Sequence, residues 1–100
     1  MGSGFIISSD GLVVTNQHVA NRQAKRVVVS LPNGSQYEAK VLGEDELADL
    51  TLLKIQADKT FPTVEFGDSD SVLVGEWSLA VGNPFGLFES AKPSVTVGMV

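Results

Sequence analysis

Apolar residues recur along the chain in runs of four to eight, broken by clusters of Gly, Pro, Asn, Asp and Ser. Short Val/Ile/Leu-rich runs between turn signals predict strands, not amphipathic helices. FIIS (5–8) and LVVTN (12–16) flank the turn SSDG, so a hairpin is expected in which Gly11 takes a positive φ. VVVSL (27–31) and QYEAKVLG (36–43) flank PNGS, with Pro32 suited to the first central turn position and Gly34 to a left-handed one. ADLTLLKI (48–55), EWSLAVG (76–82) and PSVTVGMV (93–100) complete the predicted strands. The helical candidate is a turn or so after His18, in VANRQAK. Residues 58–75 and 83–93 mix Pro, Gly, Asp and Ser without a clean period and are expected to connect elements. Trp77, Phe66 and the valines of VVVSL are assigned to the core, and Gly2 and Gly4 beside Phe5 to close strand packing. The expected fold class is all-β, built of antiparallel strands.

Composition narrows the function. One hundred residues, 43% of them hydrophobic, suffice for one small core, burying about 60% of the unfolded surface. No run approaches the roughly 18 apolar residues of a membrane span. A net charge of −5, with no basic cluster beyond Lys25 and Arg26, argues against a nucleic-acid surface. Without cysteine there is no disulfide, thiolate nucleophile or cysteine-bound zinc, and a single histidine is a poor start for a metal site. No cofactor or metal is expected. The first residues, MGSGF, carry no basic, apolar or cleavage region of a signal peptide.

Two residues stand out chemically. His18 lies in TNQHVA (15–20), where an apolar strand runs out into polar residues, and Asp49 is the one acid of ADLTLLKI. Each has a structural reading: a ring bonded to a backbone carbonyl, and an aspartate at an exposed strand start bonded to nearby amides. The functional reading joins them. A carboxylate on one ring nitrogen fixes the tautomer and leaves the other nitrogen to take a proton from a nucleophile. That reading expects the two on facing strands.

Five blocks in order, GSGFIISSDGLVVTNQHVA (2–20), ADLTLLKI (48–55), FGDSDSVLVGEW (66–77), VGNPFGL (81–87) and SVTVGMV (94–100), resemble the protease domain of the HtrA/Deg-type, trypsin-like serine endopeptidases. The resemblance implies that His18 is a general base and Asp49 its orienting acid, the catalytic residues of this chain. It implies a serine nucleophile in a Gly-Asn-Ser-Gly-Gly type motif beyond Val100. It further implies an incomplete trypsin-like β-barrel: residues 1–66 as a first barrel lacking its first strand, 67–75 as a connector, and 76–100 as opening strands of a second barrel. Substrates would be unfolded polypeptides, the setting bacterial and periplasmic or otherwise extracytoplasmic, and the protein a homo-oligomer. The 100-residue chain alone is expected to be inactive, and either to associate by strand exchange through its open edges or to be stable only as part of something larger. The alternative class is a non-catalytic, chaperone-like module that takes up peptides by β-augmentation.

GDSD at 67–70 superficially resembles a nucleophile motif, but Asp70 follows Ser69 where a glycine belongs. A carboxylate there would repel a developing oxyanion. FESAKP, after VGNPFGL, departs from the short link of the family and is expected to be a surface insertion.

Overall fold

The computed structural model describes residues 1–83 and 93–100. They form seven strands: β1 (Gly4–Ile6), β2 (Leu12–Thr15), β3 (Val27–Ser30), β4 (Gln36–Asp45), β5 (Leu50–Ile55), β6 (Trp77–Gly82) and β7 (Ser94–Met99). A short 3-10 helix spans Ser69–Ser71. The first five strands make one antiparallel sheet in the order β1-β2-β5-β4-β3, and β6 pairs with β7 in a second. All-β architecture follows from the short apolar runs, each matched to a strand within two residues of its expected ends.

Alternation sets the faces of the larger sheet. Val13 and Thr15 of β2, and Thr51, Leu53 and Ile55 of β5, are buried, while the residues between them face outward. Val27 and Val29 of β3, Tyr37, Ala39 and Val41 of β4, and Ile6 of β1 pack on the same cluster. Residues from both edge strands reach one core, so the sheet curls into a half-barrel. Phe61 fills its base, edge-on to Tyr37 with ring centroids 5.3 Å apart. Burying Val13, Leu53, Ile55 and Phe61 at roughly 2 kcal/mol each is the main stabilising contribution here.

Two glycines show why the hairpins turn where they do. Gly11 has φ 101° and packs so tightly that an added Cβ would lie 3.0 Å from that of Ile55. Gly34 has φ 90° in open space and closes the Leu31–Gly34 turn, its N–H donating to the Leu31 carbonyl. Between Val41 and Gly43 the β4–β5 register shifts, leaving Leu42 as the extra residue of a bulge.

Residues 58–75 connect the sheets, but not shapelessly. The N–H of Phe61 donates to the Ser9 carbonyl and that of Val64 to the Ile6 carbonyl, so this stretch runs antiparallel beside β1. Phe66 ends it edge-on to Phe5.

Three expectations need correction. Trp77 and Phe66 are not core residues: they are 76% and 72% exposed, because nothing among the described residues covers the face of β6 or the end of the connector. Of the VVVSL valines only Val27 and Val29 turn inward, as strand alternation requires, and Val28 faces solvent. VANRQAK forms no helix. One turn closes, with the Ala20 N–H on the Asn16 carbonyl, and a second small turn follows at Asn21–Ala24. Most of 83–93, including the FESAKP segment up to Lys92, lies outside the described residues.

Candidate active site

β2 and β5 are direct neighbours, and their register ends with Thr15 opposite Thr51. The chain therefore leaves β2 at Asn16 and enters β5 from Asp49 at one end of the sheet, and residues distant in sequence become adjacent. The first turn is organised by Asn16, whose carbonyl accepts the N–H groups of Val19 (3.1 Å) and Ala20 (3.2 Å). Ala20 is buried in the core. Gly2 backs the turn so closely that a Cβ there would lie 2.5 Å from Val19 Cγ2.

The second turn is self-capped. Asp45 Oδ1 accepts the N–H groups of Leu47 (3.0 Å) and Ala48 (3.2 Å), and the Asp49 N–H donates to the Glu46 carbonyl (3.3 Å). Asp49 then takes φ 55°, the sole positive φ at a non-glycine residue among those described. Asp tolerates this region better than most side chains, and a strained backbone held in place is a recurrent feature of functional sites.

The two turns meet through three hydrogen bonds. His18 Nδ1 lies 2.7 Å from Asp49 Oδ2, the His18 backbone N–H donates to Asp49 Oδ1 at 2.9 Å, and Asn16 Nδ2 donates to the Asp49 carbonyl at 3.1 Å. Both carboxylate oxygens are thus engaged by one residue, once through its backbone and once through its ring. An ionised carboxylate only accepts, so Nδ1 carries a proton, and in the neutral ring Nε2 then keeps its lone pair. Nε2 has no hydrogen-bond partner among the described residues.

The His18 N–H is the chief reason that the Asp49 carboxyl is held below its ordinary value of 3.8. Partial burial opposes this, and the imidazole bond and charge, with the Gln17 N–H, reinforce it. The side chains of His18 and Asp49 are 70% and 42% exposed, so the carboxylate is kept ionised by donors and not by an apolar pocket.

Both sequence-derived candidates therefore come together, though not on facing strands: they sit in turns just outside paired strands. The reason is geometric, since turns carry the free backbone N–H that binds Oδ1, which a ladder would consume. Asn16 was not singled out from the sequence. Its signal was a polar residue directly after a buried strand position, too common to separate from an ordinary loop. Ser69 begins the short 3-10 helix, whose cap Asp68 accepts from the Asp70 N–H and the Ser71 hydroxyl, and it makes no hydrogen bond to His18. No group of three or more His, Cys, Asp or Glu placed to hold a metal occurs among the described residues.

The described residues thus form a half-barrel with a histidine and an aspartate joined at one end of two antiparallel strands. The chain belongs to the trypsin-like peptidase domain family, whose model matches residues 2–100. More narrowly, it is similar to probable periplasmic serine endoproteases described as DegP-like. That of Chlamydia muridarum is 48% identical over 99 residues, and that of Ectopseudomonas mendocina 49% over 100. These alignments take in 99% and 100% of this chain but 19% and 20% of the relatives, so the chain spans about a fifth of their length. Among solved structures it resembles the HtrA-type protease AlgW with a decapeptide, with a TM-score of 0.85 and 37% identity over 99% of this chain and 29% of that one.

Proposed function

We propose that the protein carrying this chain is a serine endopeptidase that cleaves unfolded polypeptides in the bacterial periplasm, with His18 as general base and Asp49 as its orienting acid. The observation that carries the reading is the double engagement of Asp49 by His18. It leaves Nε2 as the one ring atom able to accept the proton of a nucleophile as that nucleophile attacks a peptide carbonyl, and to return it to the leaving amine. Asp49 holds the ring and stabilises the imidazolium formed between those events. The nucleophile is a serine outside these 100 residues, where the relatives extend further. In this reading residues 1–66 belong to a first barrel, 67–75 link it to a second, and 76–100 open that second barrel. The periplasmic setting rests on the descriptions of the relatives, and oligomeric assembly on the resemblance.

The test uses the full-length protein with a casein substrate unfolded by carboxymethylation. His18→Ala and Asp49→Asn are each expected to lower kcat by about 10⁴-fold while leaving circular dichroism unchanged. Asparagine suits the second variant because it also tolerates the positive φ. An Asp49→Asn enzyme within about threefold of the wild type would contradict the assignment, since a loss that small equals about 0.7 kcal/mol of transition-state stabilisation. The 100-residue chain by itself is expected to show no hydrolysis.

A further inference from the structure

The outer edge of β4 is only partly covered. β3 pairs with residues 36–39, whereas β4 continues to Asp45 with no strand on that side among the described residues. The loop of residues 21–26 stands off from this edge and reaches it with Arg22. Its Nη2 donates to the Leu42 carbonyl at 3.2 Å, and its backbone N–H donates to Glu44 Oε2 at 3.2 Å. Between loop and edge opens a groove of about 370 Å³. Val27 and Val41 contribute apolar surface to it, and Arg22, Lys25, Arg26 and Lys40 line it with positive charge.

This concentration is notable in a chain of net charge −5, because four of its seven Lys and Arg residues stand around one groove. Arg26 is paired with Glu38 at 2.9 Å. Lys25 and Lys40 have no carboxylate within salt-bridge distance among the described residues. The groove thus has uncommitted positive charge at its rim, apolar surface within it, and a backbone carbonyl held by a side chain where a strand would otherwise hold it.

We propose that this groove docks an extended acidic polypeptide segment, which adds to the outer edge of β4 in line with β3. An added strand takes its affinity from main-chain hydrogen bonds and its specificity from alternate side chains. Along Lys40–Asp45 the open edge offers about 20 Å of backbone. Binding exchanges partners without loss: an N–H of the incoming segment takes the Leu42 carbonyl, and the released Arg22 guanidinium takes one of its carboxylates, a stronger charge-assisted bond. Lys25 and Lys40 take others. A line of separated cations beside a strand edge suits an extended chain better than a compact phosphate, which needs donors converging on a point. Glu38 and Glu44, placed among the cations, disfavour the continuous phosphates of a nucleic acid. The proposal does not use His18 or Asp49 and stands whether or not that pair is catalytic.

The experiment titrates the 100-residue chain with a fluorescein-labelled peptide of alternating Val and Glu, followed by anisotropy at low salt and by amide NMR. Binding is expected to perturb the amides of residues 40–43, and the alternating Val and Lys counterpart is expected not to bind. The Lys25→Glu/Lys40→Glu double variant should bind the acidic peptide about tenfold more weakly, the effect of reversing two exposed charges. Lys25→Gln/Lys40→Gln, which removes charge without adding any, should fall between. Equal binding of the Lys peptide, an unchanged affinity in both double variants, or perturbation confined to β1, β3 or the β6–β7 sheet would overturn the proposal. So would binding of phosphatidylglycerol vesicles without binding of the peptide, which would make the groove a lipid surface.

Discussion

Asp49 combines a strained backbone with a carboxylate that has no spare oxygen, and its titration can be read separately from that of the ring. Its folded value lies below the ordinary 3.8. Its contribution to stability is therefore fully present above about pH 4 and is lost as pH falls through the lowered folded value. In the 100-residue chain, the Asp49 carboxyl carbon followed by NMR should titrate below the ordinary range. In a His18→Ala variant it should move only part of the way back, because the strongest donor, the residue-18 N–H, survives that substitution. A full return to the ordinary value would mean that the ring, and not the backbone, sets the carboxylate. This is the part of the site that the sequence leaves hidden. An acid in an aliphatic segment and a lone histidine were visible as candidates, but a backbone N–H has no letter in a sequence. Its direction depends on the turn closed by Asn16, and so did the role of Asn16 itself.

Element by element, legibility followed local chemistry. Turn positions were readable because Gly11, Pro32 and Gly34 act through their own backbone, and each stands in the turn expected of it. The bulge at Leu42, the run of 61–66 beside β1 and the exposure of Trp77 were not, because each depends on which segment lies alongside. The two hairpin glycines separate these levels experimentally. Both have positive φ, but only Gly11 is crowded. Gly34→Ala should destabilise the chain by roughly 1–2 kcal/mol, the cost of a left-handed residue with a Cβ. Gly11→Ala should cost more, since Ile55 is fixed in the core and cannot withdraw freely. Urea midpoints of the two variants measure the difference. Equal losses would show that the contact with Ile55 relaxes without cost.

Over the whole molecule, the unmatched feature is the smaller sheet. Trp77, Leu79 and Val81 of β6 lie opposite Met99, Val97 and Val95 of β7, so one face carries six large apolar side chains, each more than half exposed. The other face carries Ser78, Ala80, Gly82, Ser94, Thr96 and Gly98. An apolar patch of this kind is a site of association. The isolated 100-residue chain is therefore expected to self-associate, with a weight-average mass in sedimentation equilibrium that rises with concentration. Trp77 is the only tryptophan, so its emission should shift to the blue over the same range. A mass and an emission maximum that stay constant would count against this.

The adjacency of β2 and β5 also has a consequence in time. The β3–β4 hairpin is inserted in the chain between them, so the contact between His18 and Asp49 closes a loop that contains an entire local structure. Local hairpins form early, and contacts across such loops must wait for their entropy cost to be met. A chain emerging from its N-terminus thus presents its histidine well before the carboxylate that bonds to it. The pair cannot form until β5 has docked, which ties its geometry to the completed half-barrel.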